Sequence, residues 1–111
     1  MSTSSKGRRG EDAAAAFLED AGYRIVARNY RTPSGEADLI ALDGRTLVIV
    51  EVKRRDRDAF GRALAAVDAR KRRALRALAA DVAQVLAPNA RIRFDVVAID
   101  GNRLALHRNA F

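Results

Sequence analysis

Two apolar runs dominate the middle of the chain, Glu36 to Leu42 and Thr46 to Lys53, and they are separated by Asp43-Gly44. An Asp-Gly pair between apolar runs is a hairpin signal, so strands are predicted over Glu36–Leu42 and Thr46–Lys53. Pro33-Ser34-Gly35 marks a turn before them, and Arg24–Tyr30 is predicted as an earlier strand. Near the N-terminus, Ala14, Phe17, Leu18 and Ala21 recur at helical spacing and Gly22 supplies a stop, which predicts a helix over Glu11–Ala21. A second apolar stripe, Leu75, Leu78, Val82 and Val85, predicts a helix capped by Asp68, running to about Leu86 and halted by Pro88. Asp56–Ala66 is charged, with room for a short helical turn. Strands over Ile92–Ile99 and Arg103–His107 follow, divided by Asp100-Gly101-Asn102. The order αβββαββ predicts an α/β or α+β fold, with a mixed sheet and helices on one or both sides.

The chain has 111 residues, enough for a single domain built on one core (1–111), with residues 1–6 expected to be a disordered basic arm. Apolar residues make up 49% and aromatics only 5%, so the core must be built from Ala, Leu, Val and Ile rather than rings. The formal charge of +7 favours a polyanionic partner, nucleic acid ahead of an anionic membrane surface. An arginine-loaded but inert surface would give the same excess. With no cysteine, disulfides, thiolate zinc sites and a cysteine nucleophile are excluded, which fits a reducing cytoplasm. The N-terminus lacks the apolar segment of a signal peptide, and no segment is long enough to span a bilayer.

Charge enters the picture where the strands should be dry. Glu36, Asp38, Glu51 and Lys53 interrupt the two apolar runs. Buried ionisable groups cost free energy unless they are paired or bind a metal. Strand alternation places Glu51 with Lys53 and Glu36 with Asp38. If Asp43 and Gly44 are the two loop residues, Leu42 pairs with Arg45, Asp38 lies opposite Ile49 and Glu36 opposite Glu51, and all four polar side chains share one face. A three-residue loop would separate the pairs. Three carboxylates so placed repel one another. Lys53 relieves part of that repulsion, and a hard divalent ion, Mg²⁺ or Mn²⁺, would relieve more. Such an ion beside a lysine suits hydrolysis of a phosphodiester. A salt bridge at an exposed sheet edge is the bland alternative.

Glu11 falls on the buried face of the first helix, in its first turn, where the helix dipole favours a carboxylate. From spacing alone, a site residue and an ordinary first-turn glutamate are equally open. Lys71 lies on the apolar stripe four residues before Leu75, where a lysine usually snorkels to the surface. Arg54, Arg55, Arg57, Arg70, Arg72, Arg73 and Arg76 are candidates for a phosphate-binding rim, Arg54 and Arg55 foremost because they follow Lys53 directly. Lys6, Arg8 and Arg9 form a basic arm that could lie on nucleic acid or in solvent. His107, the only histidine, is read as structural, and Asp95 is expected to pair with an arginine.

Asp38 followed by Glu51-Val52-Lys53 resembles the PD-(D/E)xK core of restriction-endonuclease-like nucleases. The wider set of motifs is similar to the uncharacterised bacterial YraN-like family over about Lys6 to Phe111. These motifs are Gly10-Glu11, Gly22-Tyr23, Arg28-Asn29-Tyr30-Arg31, Gly35-Glu36-Ala37-Asp38-Leu39-Ile40, Val50-Glu51-Val52-Lys53, Arg93-Phe94-Asp95-Val96-Val97 and Asn109-Ala110-Phe111. Ala37 stands where the PD motif has proline. The resemblance implies a five-stranded mixed sheet flanked by helices and a site like that of archaeal Holliday-junction resolvases. By that similarity Asp38, Glu51 and the Val52 carbonyl would bind Mg²⁺ or Mn²⁺ and Lys53 would be the catalytic lysine. Glu11 would match an extra helix carboxylate, and a lysine at position 71 also belongs to the pattern. The expected activity is metal-dependent endonuclease action on DNA rather than RNA, branched or junction DNA in particular. Junction resolution needs paired sites, which a homodimer would supply. A non-catalytic nucleic-acid-binding module on the same scaffold is the alternative.

Overall fold

The structure, a computed structural model, describes residues 3–55 and 69–111, with side chains described over 10–54 and 69–111. Asp68, Arg57 and the stretch Asp56–Ala66 lie outside the described residues. So do the side chains of Lys6, Arg8, Arg9 and Arg55.

Helix α1 spans Thr3–Asp20. The strands β1 Arg24–Thr32, β2 Gly35–Asp43 and β3 Thr46–Arg55 follow, then helix α2 Ala69–Leu86, β4 Ile92–Asp100 and β5 Arg103–His107. The fold is α/β with the element order αβββαββ. The five strands lie side by side in sequence order. Every neighbouring pair is antiparallel except β3 and β4, which run parallel. A parallel pair cannot be joined by a tight hairpin, and the crossover between β3 and β4 carries α2.

Helix α1 begins at Thr3, well ahead of the expected start at Glu11. Gly10 sits buried inside that helix, and a Cβ there would lie 3.7 Å from Ile99 Cδ1 and 3.8 Å from Arg54 Nε. Those are ordinary contact distances, so α1 lies against the sheet here with room for a methyl group.

Among the described residues, each face of the sheet carries one helix. Ala14, Ala15 and Leu18 of α1 pack with Tyr23, Leu39, Ala41, Val48, Val50, Val97 and Ile99. Leu75, Leu78, Ala79, Val82 and Ala83 of α2 pack with Ile40, Leu47, Ile49, Phe94, Val96 and Ala98 on the other face. Strand β3 is thus dry on both sides, which explains its unbroken run Leu47 to Val50. Two stripe residues depart from expectation: Ala21, beyond the end of α1, is exposed, and Val85 is 81% exposed near the end of α2.

The β2–β3 register differs from the expected one. Leu39 pairs with Val50, Ile40 with Ile49, Leu42 with Leu47 and Asp43 with Thr46. The loop residues are therefore Gly44-Arg45, not Asp43-Gly44. The turn needs a left-handed residue, and Gly44 takes it at φ +62°. Asp43 keeps its place in the strand, where its carboxylate accepts Arg93 Nη2 at 3.0 Å. The slip is by two residues, so every side chain keeps its face.

The same arginine, Arg93, also serves Asp95 on β4, which is fully buried and holds the C-terminus. Its carboxylate accepts Tyr23 Oη at 2.7 Å, both Arg93 Nε and Nη2 at 3.0 Å, and the backbone N–H of Asn109 at 2.9 Å. The expected arginine partner is Arg93. The Ala110 N–H donates to the Phe94 carbonyl at 2.7 Å, and Phe111 stacks on Phe94 with ring centroids 5.0 Å apart.

Candidate functional site

Strand alternation carries Glu51 and Lys53 out of the core on the α2 face, directly after Val50. Glu51 is fully buried. Its Oε1 lies 2.7 Å from the Nζ of Lys71, on the first turn of α2. Neither carboxylate oxygen makes a well-formed hydrogen bond among the described residues: Oε1 has the ion pair with Lys71, and Oε2 has no partner. A buried carboxylate oxygen left in that state is rare in native proteins and points to a missing cation or water.

Asp38 enters the site differently. The ordered β2–β3 pairing ends at Leu39 and Val50. One step further, the Asp38 carboxylate replaces backbone in the ladder, and its Oδ2 accepts the Val52 N–H at 2.8 Å. That bond fixes Asp38 at the mouth of the strand pair, with the Val52 carbonyl just past the end of the ladder.

The four groups sense one another. Burial pushes the Glu51 carboxyl above its ordinary value and the Asp38 charge adds to this; Lys71 offsets only part. Burial likewise pushes Asp38 up, against the Val52 N–H and the charges of Lys71 and Lys53. Burial holds Lys53 below the usual lysine range, helped by the neighbouring Lys71 charge and opposed by Glu51 and Asp38. For Lys71, burial alone would lower the value, but the hydrogen bond and charge of Glu51 outweigh it and raise it. The same contact thus favours the half-exposed ammonium without offsetting the burial of its partner. The carboxylate, which carries the larger burial, sets the sign for the pair.

Two expected members stand elsewhere. Glu36 is not opposite Glu51: it pairs across the sheet with Arg31 of β1, its Oε1 lying 3.2 Å from Arg31 Nη2. The arginine on the neighbouring strand competes for it and wins because the pair is direct. Glu36 still bears on Asp38, whose carboxyl its charge helps to raise. Glu11, on α1, accepts Asn29 Nδ2 at 2.9 Å. Asn29 has φ +49° and lies opposite Asp38, between the pairs Arg28–Leu39 and Tyr30–Ala37. This left-handed residue lets two successive side chains reach α1, since Arg28 also pairs with Asp12. Glu11 is thus tied to β1 through Asn29, whose register position neighbours Asp38. Among the described residues, no group of three or more His, Cys, Asp or Glu side chains is assembled around one point.

The cationic rim is also redistributed. Arg54 follows Lys53 but alternates to the α1 face, where its guanidinium lies across Gly10. Arg72 sits over the Phe111 ring at 5.5 Å and Arg76 over Phe94 at 5.9 Å, so both are turned towards the C-terminal tail. Arg70 and Arg73 are exposed. His107 stands on β5 opposite Val96.

Lys71 is the residue that the snorkelling expectation misplaced. A signal for it was present. Of the 21 basic residues only three are lysines, Lys6, Lys53 and Lys71, and two of these three meet at Glu51. In so arginine-rich a chain, lysine marks places where a compact point charge with an adjustable pKa is needed, which a planar guanidinium cannot supply.

Asp38 and Glu51 are the two carboxylates here that could hold a metal ion, and Mg²⁺ or Mn²⁺ take one or two protein carboxylates and keep several waters. Two carboxylates are too few for a Ca²⁺ cage. No helix among the described residues is long and apolar enough to cross a membrane.

Comparison with known proteins gives a consistent grouping. The chain is 47% identical over 109 residues to a UPF0102 protein of Dechloromonas aromatica, covering 98% of this chain and 90% of the relative. It is 42% identical over 105 residues to one from Thermodesulfovibrio yellowstonii, covering 95% and 94%. A third, from Moorella thermoacetica, is 48% identical over 101 residues, covering 89% and 83%. The model of the uncharacterised protein family UPF0102 matches residues 10–99, a span that takes in Glu11, Asp38, Glu51, Lys53 and Lys71, and the chain belongs to that family.

Proposed function

We propose that this protein is a metal-dependent endonuclease of the restriction-endonuclease-like type, hydrolysing phosphodiester bonds in DNA, with branched or junction DNA as the favoured substrate. The observation that carries the reading is the buried Glu51 carboxylate, with one unpartnered oxygen, beside Asp38, Lys53 and Lys71. As a purely structural ion pair the arrangement would often be no more stable than an apolar pair of the same volume.

In this reading Asp38 and Glu51 hold Mg²⁺ or Mn²⁺, with the Val52 carbonyl within the same mouth. When bound, the ion supplies an activated water and stabilises charge on the phosphoryl oxygens. The Val52 N–H keeps Asp38 oriented for that task. Lys53, on the strand beside the two carboxylates, can orient the attacking water as an ammonium and offset charge developing on the phosphate. Glu11 acts through Asn29 as a positioning residue behind Asp38. The +7 charge supplies attraction to a polyanion, with the arginines of the basic arm and Arg55 as further contacts. A cytoplasmic setting and a homodimer with paired sites belong to the same proposal. The second reading, a non-catalytic nucleic-acid-binding module, is favoured by one observation: Lys71 already neutralises Glu51.

The two readings separate in one assay. The purified protein is incubated with junctions, flaps, single strands, duplexes and RNA in Mn²⁺ or Mg²⁺. Nicking of branched or single-stranded DNA is expected, lost with EDTA and in Lys53→Ala or Glu51→Ala proteins that still bind DNA. Binding without cleavage of any substrate would favour the module, and cleavage surviving both substitutions would reject the assigned roles.

A further inference from the structure

We infer that Lys71 is the resident counter-ion of the site and that divalent-ion binding is an exchange, in which the Lys71 ammonium leaves Glu51 as the ion arrives. The inference rests on the metal reading above and adds its regulation. Three observations carry it.

The first is geometry. The Lys71 Nζ lies 2.7 Å from Glu51 Oε1, so it fills one side of the carboxylate that the ion would take. The second is charge. Asp38 and Glu51 are faced by Lys53 and Lys71, two negative groups with two positive ones. Adding a divalent ion to that set leaves two excess positive charges in a buried place, and releasing an ammonium removes one of them. Lys53 is fixed to the central strand next to the carboxylates. Lys71 approaches from a separate element on a flexible four-carbon stem, with 37% of its side chain already in solvent. It is the cation that can leave. The third is the pattern of satisfaction. Oε2 of the same carboxylate has no partner among the described residues, so the ammonium does not complete the coordination of Glu51.

Exchange has a functional consequence. The site stays neutral without the ion. Once released, the Lys71 ammonium stands on the first turn of α2, beside the site and available to a substrate phosphate. Metal affinity and phosphate binding would then be coupled through one side chain.

The chain's scarcity of lysine makes the test clean, because only Lys6, Lys53 and Lys71 carry side-chain amines. The full-length protein is pulse-labelled with an amine-reactive reagent at one fixed pH, in EDTA and then in saturating Mg²⁺. Modification is read at each lysine by mass spectrometry. The Lys71 rate is expected to rise several-fold with the ion, relative to Lys6. In parallel, Mg²⁺ is titrated calorimetrically into wild type and Lys71→Met, the latter after its fold has been checked by circular dichroism. Removing a contact cation is expected to tighten binding about tenfold or more. Heat of binding to wild type with an unchanged Lys71 labelling rate would overturn the exchange and leave the metal reading standing. An unchanged affinity in folded Lys71→Met would do the same. Absence of binding to both proteins would overturn the metal reading and the exchange together. If Lys71→Met does not fold, the wild-type labelling decides.

Discussion

Replacing Glu51 by glutamine should make the metal-free protein more stable while abolishing its proposed chemistry. Glu51 is completely removed from solvent. Taking one carboxylate out of water costs several kcal/mol even after relaxation. The 2.7 Å contact with Lys71 returns part of that, on the order of 1.5–3 kcal/mol for a hydrogen bond between charged groups. Asp38 adds repulsion, and burial with that repulsion outweighs Lys71 and Lys53, which leaves the charged form disfavoured. Glutamine keeps the volume and still offers a carbonyl to Lys71. The ammonium is not stranded either, since it is already partly in solvent and retains Asp38 as a neighbour. The net gain is estimated at about 1–2 kcal/mol at neutral pH, or roughly 5 °C in Tm per kcal/mol for a domain of this size.

The sign with pH follows from the direction of the shift. A carboxyl raised in the folded state favours folding below its unfolded value of 4.5, and the advantage fades as pH rises through the folded value. The advantage of Glu51→Gln should therefore be largest at neutral pH and shrink as pH falls towards the ordinary carboxylate range. Thermal and urea denaturation in EDTA from pH 5 to about pH 8 would measure it. A Glu51→Gln protein that melts below wild type at pH 7 would refute the reasoning, because it would mean that the ion pair is net stabilising.

The partner change should behave in the opposite way. Lys71→Met leaves Glu51 buried without its cation and is expected to cost about 1–2 kcal/mol at pH 7, discounted because the ammonium is part-exposed. Urea titrations should show the loss shrinking as pH falls, when the stranded carboxyl can protonate. On the neighbouring strand, Arg93→Ala removes two donors from the buried Asp95 and should cost about 3–5 kcal/mol by chemical denaturation. Arg93→Lys should restore little of it, because lysine cannot reproduce the paired Nε and Nη2 contacts. Tyr23 is pushed up from 10.0 to about 12 by burial and by its hydrogen bond to Asp95. A group with a raised folded pKa loses its stabilising effect as pH climbs, so stability should fall by about 2–3 kcal/mol between pH 10 and 12. Tyr23→Phe should flatten that fall in the same denaturation series.

Alternation along the chain determined more than the register did. The loop falls on Gly44-Arg45 rather than Asp43-Gly44, yet Glu51 and Lys53 still share the α2 face, because a slip of two residues preserves parity. The same parity placed Arg54 on the opposite face from Lys53, a consequence available from the sequence but masked by the simple adjacency of the two residues. The helix stripe located Leu75, Leu78 and Val82 correctly, since a period of 3.6 is a property of the backbone. The placement of Asp95 beside an arginine followed from the cost of burying a lone charge.

Contacts between distant segments were decided only by the tertiary structure. Glu36 turned to Arg31 because β1 lies beside β2, and no local pattern says which neighbour competes best. Asp38 entered the ladder at Val52 because the backbone pairing of β2 and β3 stops there. Lys71 reached Glu51 because the parallel pairing of β3 and β4 requires a crossover, and the crossover lays the first turn of α2 over the end of β3. The sequence by itself determined the strands, the helices and the face on which each strand charge emerges, since these depend on dihedral periods that each segment carries alone. The folded chain decided which charges meet, since that depends on the distances between elements and on which partner most cheaply satisfies a group removed from water.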